Sequence, residues 1–309
     1  MIMISVVTPT YNEIDNIENL YNEIKIIFQE LKIDYEHIII DNNSNDGTID
    51  KIKELASKDK KLKIIINKKN YGHIRSPYYG LLQSTGDATI LMASDFQDPP
   101  DLIKKFIKEW ENGYKIVLAQ KSKVNENFLL RKIRRYYYQL LKKISDTELT
   151  VNTTGTGLYD KEIINILKKI NDPYPYFRGL VLSFGFDYKL IQFEQPKRKY
   201  GNTKNNFFTL VDIGLLGLIK QSILPIRLMT IIGFFSSFAF ALIAVGYLLA
   251  KIFFWNNFQA GFAPILIGLF FIGSIIIMML GIIGEYLKTL IEYNKKENLL
   301  LEKERINFE

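Results

Sequence analysis

Short apolar runs alternate with amphipathic stretches through most of the chain, and this alternation constrains the fold more than any other feature of the sequence. The β-rich runs cover residues 4–8, 37–40, 62–66, 88–92, 115–119 and 188–193. The helical stretches cover residues 13–31, 48–58, 74–83 and 102–112. Strands that alternate with helices build a mainly parallel sheet with helices on both faces. We therefore predict a doubly wound α/β domain over residues 1–204.

Polar loops follow the first four predicted strands. They are Thr8-Pro9-Thr10-Tyr11-Asn12-Glu13, Asp41-Asn42-Asn43-Ser44-Asn45-Asp46-Gly47-Thr48, Asn67-Lys68-Lys69-Asn70-Tyr71-Gly72-His73 and Ala93-Ser94-Asp95-Phe96-Gln97-Asp98. If the strands are parallel, these loops meet at the edge where α/β sheets bind ligands. Each loop alone is ordinary turn chemistry. Four in succession predict a nucleotide-diphosphate site, with a tyrosine to stack on the base and an aspartate to bond its edge.

Asp95 and Asp98 follow the apolar run 88–92, and Pro99 and Pro100 end that strand. Carboxylates at a strand end suit Mg²⁺ or Mn²⁺ carrying a diphosphate. If these two carboxylates stood alone in the sequence, the alternative to a metal site would be a solvated acidic turn that caps the following helix. No Gly-x-x-x-x-Gly-Lys-Ser/Thr or Gly-x-Gly-x-x-Gly pattern follows a strand, so a P-loop kinase or nicotinamide enzyme is not indicated. The chain has no cysteine and two histidines, which excludes disulfides and thiolate or His-rich metal sites.

Two uncharged apolar runs, residues 228–250 and 262–284, lie within the segment 226–289. Each exceeds the roughly 20 residues that a membrane-spanning helix needs. The link between them has one basic residue, Lys251, whereas Arg227 and three lysines flank the pair. The positive-inside bias places the large domain and both termini in the cytoplasm. We predict a multi-pass protein of the cell (inner or plasma) membrane.

One segment carries the net charge of +7. Residues 115–143 hold nine Lys or Arg and one Glu, so the rest of the chain is close to neutral. Residues 128–144 have the pattern of a basic amphipathic helix, which suits a membrane surface; a helix with a solvated basic face is the alternative. We predict a second amphipathic region over residues 205–225, at the membrane interface. The pattern of residues 292–305 predicts a charged amphipathic helix within a cytoplasmic tail over residues 290–309. This helix serves assembly or is solvated. Nucleic-acid binding is not indicated.

These motifs together resemble an inverting GT-A glycosyltransferase of family 2. The resemblance rests on residues 6–13, on residues 41–48 and on Asp95-Phe96-Gln97-Asp98-Pro99-Pro100. The later run Arg198-Lys199-Tyr200-Gly201-Asn202-Thr203-Lys204, followed by two spans, resembles polyprenyl-phosphate glycosyltransferases of the dolichyl-phosphate mannose synthase and GtrB type. The similarity covers nearly the whole chain.

The resemblance implies the transfer of a sugar from a nucleotide-sugar donor, a UDP-hexose, to undecaprenyl or dolichyl phosphate. The reaction would occur at the cytoplasmic leaflet and supply glycan modification of the cell envelope. Mg²⁺ or Mn²⁺ would be the cofactor, with Asp95 and Gln97 as metal ligands and with Asp95, Gln97 and Asp98 as catalytic residues. We also expect a homo-oligomer and a lipid flippase partner.

The resemblance also implies two sets of binding residues. The lipid phosphate would be held by Arg131 and Arg135. The donor would be bound by Pro9, Tyr11, Glu13, Asp41, Ser44, Asn70, Arg198 and Lys204.

The sequence departs from the family pattern in three motifs. Ala93 and Thr156 stand where relatives often have Asp, and the second loop reads Asp41-Asn42-Asn43-Ser44 where relatives often have Asp-Asp-Gly-Ser. The change at Thr156 removes a proposed carboxylate base. A polyprenyl phosphate needs little help from a base, because its second pKa is near 6 and it is largely ionised at pH 7. The alternatives are a transferase acting on a lipid-linked sugar hydroxyl or a polysaccharide, and a non-catalytic membrane adaptor with a transferase fold.

Overall fold

The computed structural model of the protein describes residues 2–122, 153–170, 172, 175–196, 216, 219–220, 224–253, 262–294 and 300–308. The predicted basic helix, with Arg131 and Arg135, lies outside these residues. The loop that carries Arg198 and Lys204 and most of the predicted interfacial region over residues 205–225 also lie outside them. The roles assigned to these segments stay predictions.

One eight-stranded sheet forms the centre of the described part of the chain. Its strands are β1 (Met3–Thr10), β2 (Asp34–Asp41), β3 (Leu62–Asn67), β4 (Ala88–Leu91), β5 (Ile116–Lys121), β6 (Thr153–Asp160), β7 (Tyr188–Phe193) and β8 (Glu302–Ile306). They lie in the order β7-β5-β6-β4-β1-β2-β3-β8. Strands β1 to β4 are parallel, and so are β5 and β7. Strand β6 runs antiparallel between β4 and β5, and β8 runs antiparallel to β3.

Helices cover both faces of this sheet. In the described residues they are α1 (Ile14–Leu31), α2 (Thr48–Lys58), α3 (Gly72–Leu82), α4 (Leu102–Glu111), α5 (Lys161–Ile170), α6 (Phe177–Ser183), α7 (Leu224–Phe253) and α8 (Phe262–Asn294). Helices α1, α2 and α4 pack on one face, and α3, α5 and α6 pack on the other. The predicted α/β architecture with a mainly parallel sheet is confirmed.

Strand β1 shows why the sequence specifies two packed faces. Successive side chains of a strand point to opposite faces. Ile4 and Val6 pack in the cluster that contains Phe106 of α4, whereas Val7 packs in the cluster that contains Leu81 of α3. Because both faces are buried, the central strands read as nearly continuous apolar runs.

The sequence patterns did not indicate β6, because its segment Thr153–Asp160 is rich in Thr and Gly rather than alternating in hydropathy. The packing of the two strands explains the glycine at position 157. A Cβ atom built on Gly157 would lie 2.4 Å from the carbonyl oxygen of Val117 in β5. The two strands approach too closely there for any side chain, so glycine is required.

The predicted amphipathic helix over residues 292–305 is wrong for residues 302–305, which belong to β8. Helix α8 ends at Asn294, and the chain then returns to the sheet and covers the free edge of β3. The charged sequence Glu302-Lys303-Glu304-Arg305 suits an edge strand, since charges there discourage pairing with other molecules. The α/β domain therefore includes residues 300–308, which lie outside the range 1–204 predicted for it.

Helices α7 and α8 form over the two uncharged runs. Pro225 is the second residue of α7, a position in the first helical turn that tolerates proline. Counting only the described residues, no helix is long and apolar enough to cross a membrane. The two membrane spans stay a prediction.

Candidate active site

Four loops meet at the edge of the sheet where β1 to β4 end: the first (residues 9–13), the second (41–48), the third (67–73) and the fourth (93–98). The backbone N–H of Asn42 donates to the carbonyl oxygen of Thr10 at 2.9 Å. The hydroxyl of Ser94 donates to the carbonyl oxygen of Pro9 at 3.2 Å. The first loop is thus bonded to the second and to the fourth. The convergence that parallel strands predict at this edge is confirmed.

The first and second loops form one hydrogen-bonded unit. The side-chain amide of Asn12 donates to Oδ1 of Asn45, and the N–H of Asn45 donates to Oδ1 of Asn12, each at 2.9 Å. The N–H of Asn12 donates to the hydroxyl of Ser44 at 2.8 Å. Asn12 has a φ of 55°, a left-handed conformation that asparagine tolerates better than most residues. The predicted donor residues Pro9, Tyr11 and Glu13 are half-buried on this unit.

Asp41 is fully buried at the end of β2. Its carboxylate accepts hydrogen bonds from the N–H of Ser44 at 2.8 Å and from the Ser44 hydroxyl at 2.5 Å. Burial raises the pKa of Asp41 above its ordinary value, although the bonds from Ser44 act in the opposite direction. The structure shows that both residues shape the second loop, while their predicted contact with the donor stays a prediction.

Asn42 joins the second loop to the third. Its side-chain amide donates to Oδ1 of Asn70 at 2.7 Å. Its Oδ1 accepts from the N–H of Tyr71 at 2.8 Å and from the side-chain amide of Asn67 at 3.1 Å. The N–H of Gly72 also donates to Oδ1 of Asn70, at 2.8 Å. The side chain of Asn70, a predicted donor residue, is therefore fixed from two sides.

Alternating residues of the fourth loop face opposite directions. Phe96 is buried in the core cluster beneath α1 and α4, and Asp98 is also buried. Asp95 and Gln97 are half-buried at the edge of the sheet. Phe96 has a φ of 57°, a conformation that costs about 1–3 kcal/mol for a bulky residue and requires support from its surroundings. This conformation buries the phenyl ring and leaves Asp95 and Gln97 on the side of the four loops.

Asp95 and Gln97 fit a site for one divalent cation that also binds a diphosphate. The two residues adjoin, since the N–H of Gln97 donates to Oδ1 of Asp95 at 3.2 Å. Carboxylate and amide oxygens are hard ligands that suit Mg²⁺, which proteins often hold through one or two carboxylates and the substrate phosphates. Among the described residues, no cluster of three or more His, Cys, Asp or Glu side chains could hold a metal. A metal held by Asp95 and Gln97 would complete its coordination with oxygen atoms of water or of a bound diphosphate.

Asp98 has a different environment from Asp95. Its side chain is buried, and its Oδ2 accepts a hydrogen bond from the hydroxyl of Thr156 at 2.5 Å. Thr156 lies in β6, which pairs with β4, so this bond ties the fourth loop to the neighbouring strand. The structure supports a loop-holding role for Asp98, and its predicted catalytic role stays a prediction.

The sequence patterns did not indicate Arg178, which lies beside the start of β6. A Cβ atom on Gly155 would be 3.5 Å from Nε of Arg178. The preceding residue, Phe177, packs edge-on against the ring of Tyr159, with centroids 5.0 Å apart. Burial and the charge of Arg178 lower the pKa of His73 below its ordinary value. The segment Phe177–Ser183 is too short for a periodic signal, and a single sequence gives no other sign of this cation.

The structure thus brings the described site residues to one edge of the sheet. The predicted residues placed there are Pro9, Tyr11, Glu13, Asp41, Ser44, Asn70, Asp95, Gln97 and Asp98. Arg178 is the cation that the structure adds beside them.

Comparison with known proteins identifies the class. The model of glycosyl transferase family 2 matches residues 5–167. CsbB of Bacillus subtilis, named as a glycosyltransferase, is 30% identical over 98% of this chain and 92% of its own length. A prophage bactoprenol glucosyl transferase homolog of Escherichia coli is 28% identical over 97% of this chain and 98% of its own length. The bactoprenol glucosyl transferase of Shigella phage SfX is 28% identical over 92% of this chain and 93% of its own length.

The chain is also similar to solved structures of sugar transferases. Glucosyl-3-phosphoglycerate synthase of Mycobacterium tuberculosis, in complex with Mn²⁺, UDP-glucose and phosphoglyceric acid, has 18% sequence identity and a TM-score of 0.45, over 69% of this chain and 76% of that chain.

The family match and the named relatives define the protein as a glycosyltransferase. More narrowly, the chain belongs to glycosyl transferase family 2, whose model covers more than half of its residues. The matched region includes all four loops and Thr156. The family that the sequence motifs resemble is confirmed.

Proposed function

We propose that the protein transfers a hexose from a UDP-hexose to a polyprenyl phosphate, undecaprenyl or dolichyl, with inversion at the anomeric carbon. The product would be a polyprenyl-phosphate sugar for glycan modification of the cell envelope. The observation that carries the proposal is the placement of Asp95 and Gln97 at the edge where four loops of a family 2 transferase meet. The names of the bactoprenol glucosyl transferases, which match nearly the full chain, support the acceptor class.

In this proposal the first three loops bind the nucleotide, and Asp95 with Gln97 holds Mg²⁺ or Mn²⁺ against the diphosphate. The metal would supply Lewis-acid stabilisation of the leaving diphosphate. The chain's own contribution is positioning: the bonds among Asn12, Ser44, Asn42 and Asn70 fix the loops before the donor arrives. Preorganised loops reduce the entropy that binding must otherwise overcome.

The acceptor phosphate carries negative charge and needs cations more than a base. Arg131 and Arg135 are proposed to bind it, and Arg198 and Lys204 to bind the donor phosphates. Arg178 supports the proposal, because its exposed side chain adds positive charge at the start of β6. Arginine suits phosphate, since its planar group can donate two parallel hydrogen bonds.

The membrane location belongs to this proposal, with α7 and α8 as the two spans and with the catalytic domain and both termini in the cytoplasm. Large apolar side chains on these helices are exposed in the isolated chain, which supports contact with lipid. They include Phe234, Phe235, Phe238, Leu242, Phe253, Ile265, Leu269, Ile277, Leu280 and Leu287. The homo-oligomer and the flippase partner stay predictions.

The test is glycolipid synthesis by membranes that contain the protein. The membranes are incubated with undecaprenyl phosphate, Mn²⁺ and one labelled UDP-hexose at a time. The proposal expects a labelled phosphodiester-linked lipid that mild acid hydrolyses, and no product in EDTA. A product with a sugar–sugar linkage would indicate a hydroxyl acceptor instead. A folded protein that gives no product with any donor would support the adaptor alternative.

Asp95→Asn provides the residue-level test. Loss of the metal-binding carboxylate should lower kcat about a hundredfold or more, because metal stabilisation of the leaving group is lost. Asp101→Asn is the matched control, since Asp101 lies six residues further along with 81% of its side chain exposed. Equal activity in the two variants would contradict the role of Asp95.

A further inference from the structure

We infer that the tail segment, residues 300–308, positions the third loop for donor binding, with Tyr71 as the positioning residue. This inference rests on the proposed function, because it assigns the third loop to the nucleotide-sugar. The tail segment itself lies outside residues 5–167, which the family model matches. The inference also gives β8 a role beyond covering an edge of the sheet.

The tail segment is firmly anchored on the sheet and on α2. Strand β8 pairs with β3 from Ile306 opposite Ile64 to Glu302 opposite Asn67. The side-chain amide of Asn307 donates to the carbonyl oxygens of Leu62 at 2.8 Å and of Ala56 at 2.9 Å. Leu300, at the other end of the segment, is buried in the apolar cluster beneath α3. Both ends are therefore fixed, so the segment can serve as a rigid support.

The tail segment touches the third loop beyond the last strand pair. The pairing of β3 and β8 shifts register between Ile66 and Asn67, which leaves Lys303 as an extra residue in β8. Such bulges redirect a strand and are common beside active sites. Past the bulge, the N–H of Lys68 donates to the carbonyl oxygen of Leu301 at 2.9 Å, and the N–H of Leu301 donates to the hydroxyl of Tyr71 at 3.1 Å. The tail thus holds the third loop at two points.

Tyr71 transmits this support to the predicted donor residues. Its N–H donates to Oδ1 of Asn42 at 2.8 Å, and the amide of Asn42 donates to Oδ1 of Asn70 at 2.7 Å. Asn42 follows Asp41 directly and is itself buried. A continuous series of hydrogen bonds therefore runs from Leu301 through Tyr71 and Asn42 to Asn70.

The tail segment also follows α8, the second proposed membrane span, closely along the chain. Helix α8 ends at Asn294, and five residues separate it from Leu300. A chain of that length spans at most about 22 Å. The C-terminal end of α8 therefore lies within that distance of Leu300, which begins the tail segment.

The test compares Tyr71→Phe with Tyr79→Phe in the full chain. Tyr71→Phe keeps the ring and removes only the hydroxyl that Leu301 uses. Tyr79→Phe is the matched control, because the Tyr79 hydroxyl also bonds the tail, at Oε1 of Glu302 (2.9 Å), and Tyr79 lies in α3 rather than in the third loop. We expect the donor KM of Tyr71→Phe to rise about two- to tenfold, the range for the loss of one exposed hydrogen bond. Its kcat and acceptor KM, and all constants of Tyr79→Phe, should stay within the error of the wild type.

Hydrogen exchange gives a second readout that does not depend on turnover. The amides of residues 67–73 should exchange faster in Tyr71→Phe than in the wild type. Their exchange rates in Tyr79→Phe should equal those of the wild type. If the wild type binds UDP but transfers no sugar, the proposed function is refuted while the positioning role of Tyr71 is not. The two variants would then be compared by their affinity for UDP instead of by their donor KM. An unchanged donor KM or UDP affinity in Tyr71→Phe, or an equal change in both variants, would overturn the positioning role.

Discussion

Lowering the pH from 7 to 5 should destabilise the fold through His37. Its imidazole is fully buried in β2, where Nε2 lies 2.9 Å from the hydroxyl of Thr8. Its Nδ1 is buried and has no hydrogen-bond partner among the described residues, so a proton added there would find no acceptor. Burial lowers the pKa of His37 from 6.5 to about 3, although the charge of Asp59 acts in the opposite direction.

The direction and size of the effect follow from this shift. In the unfolded chain the imidazole binds a proton below about pH 6.5, whereas in the folded chain it stays neutral down to about pH 3. Between these values the unfolded state holds one more proton, so the free energy of unfolding falls as the pH falls. Each pH unit is worth about 1.4 kcal/mol, so a drop from pH 6.5 to 5 removes about 2 kcal/mol.

Denaturant unfolding of the full chain in detergent measures this loss. The fluorescence of Trp110 can report it, because its indole donates to Asp160 at 2.8 Å in the folded state and Trp255→Phe removes the other tryptophan. His37→Gln keeps a partner for Thr8 and removes the titration, while the contributions of the carboxylates remain the same in both proteins. Between pH 7 and 5 the wild type should lose about 2 kcal/mol more than the variant. Parallel pH curves would refute the buried neutral histidine.

Three further predictions concern the start and middle of β6. Thr156→Val should lower the free energy of unfolding, measured with urea, by about 1.5–3 kcal/mol, the range for a hydrogen bond to a charged group. Thr156→Ser keeps the hydroxyl and should retain most of this free energy. Gly157→Ala should cost at least about 2 kcal/mol in the same assay, because the added Cβ meets the carbonyl oxygen of Val117 and backbone atoms cannot rotate away. Arg178→Gln should raise the KM of the donor or of the lipid phosphate about tenfold, because a charge-assisted hydrogen bond to phosphate is lost. Arg178→Lys keeps the charge and should raise that KM less. If neither KM changes, Arg178 does not bind phosphate in this site.

The central strands and their loops could be predicted because their signals are local. Each of β1 to β4 is an apolar run that a loop of turn-forming residues ends. The prediction of residues 188–193 matches β7 to the residue, and that of residues 48–58 matches α2. Parallel direction then brings the four loops to one edge without further information. The site at this edge follows from chain order and strand direction alone.

The rest of the fold depends on partners far away in sequence. Strand β6 is specified by its close contact with β5, which requires Gly157, and Gly-rich segments carry no hydropathy pattern. Strand β8 consists of charged residues and pairs with β3, more than 230 residues earlier in the chain. The bonds of Asp98 with Thr156 and of Tyr71 with Leu301 join such distant segments, so no local pattern could reveal them.

The bond between Asp98 and Thr156 bears on which acceptor the site can serve. A sugar hydroxyl must lose its proton during the reaction and therefore needs a carboxylate or imidazole within reach. Asp98 is 4% exposed and bonded to Thr156, and Asp95 is the residue that we assign to the metal. A polyprenyl phosphate, with a second pKa of about 6, is largely ionised at pH 7 and requires only positioning and cations. The replacement of a carboxylate by Thr156 is therefore compatible with a phosphate acceptor, which needs no base at that position.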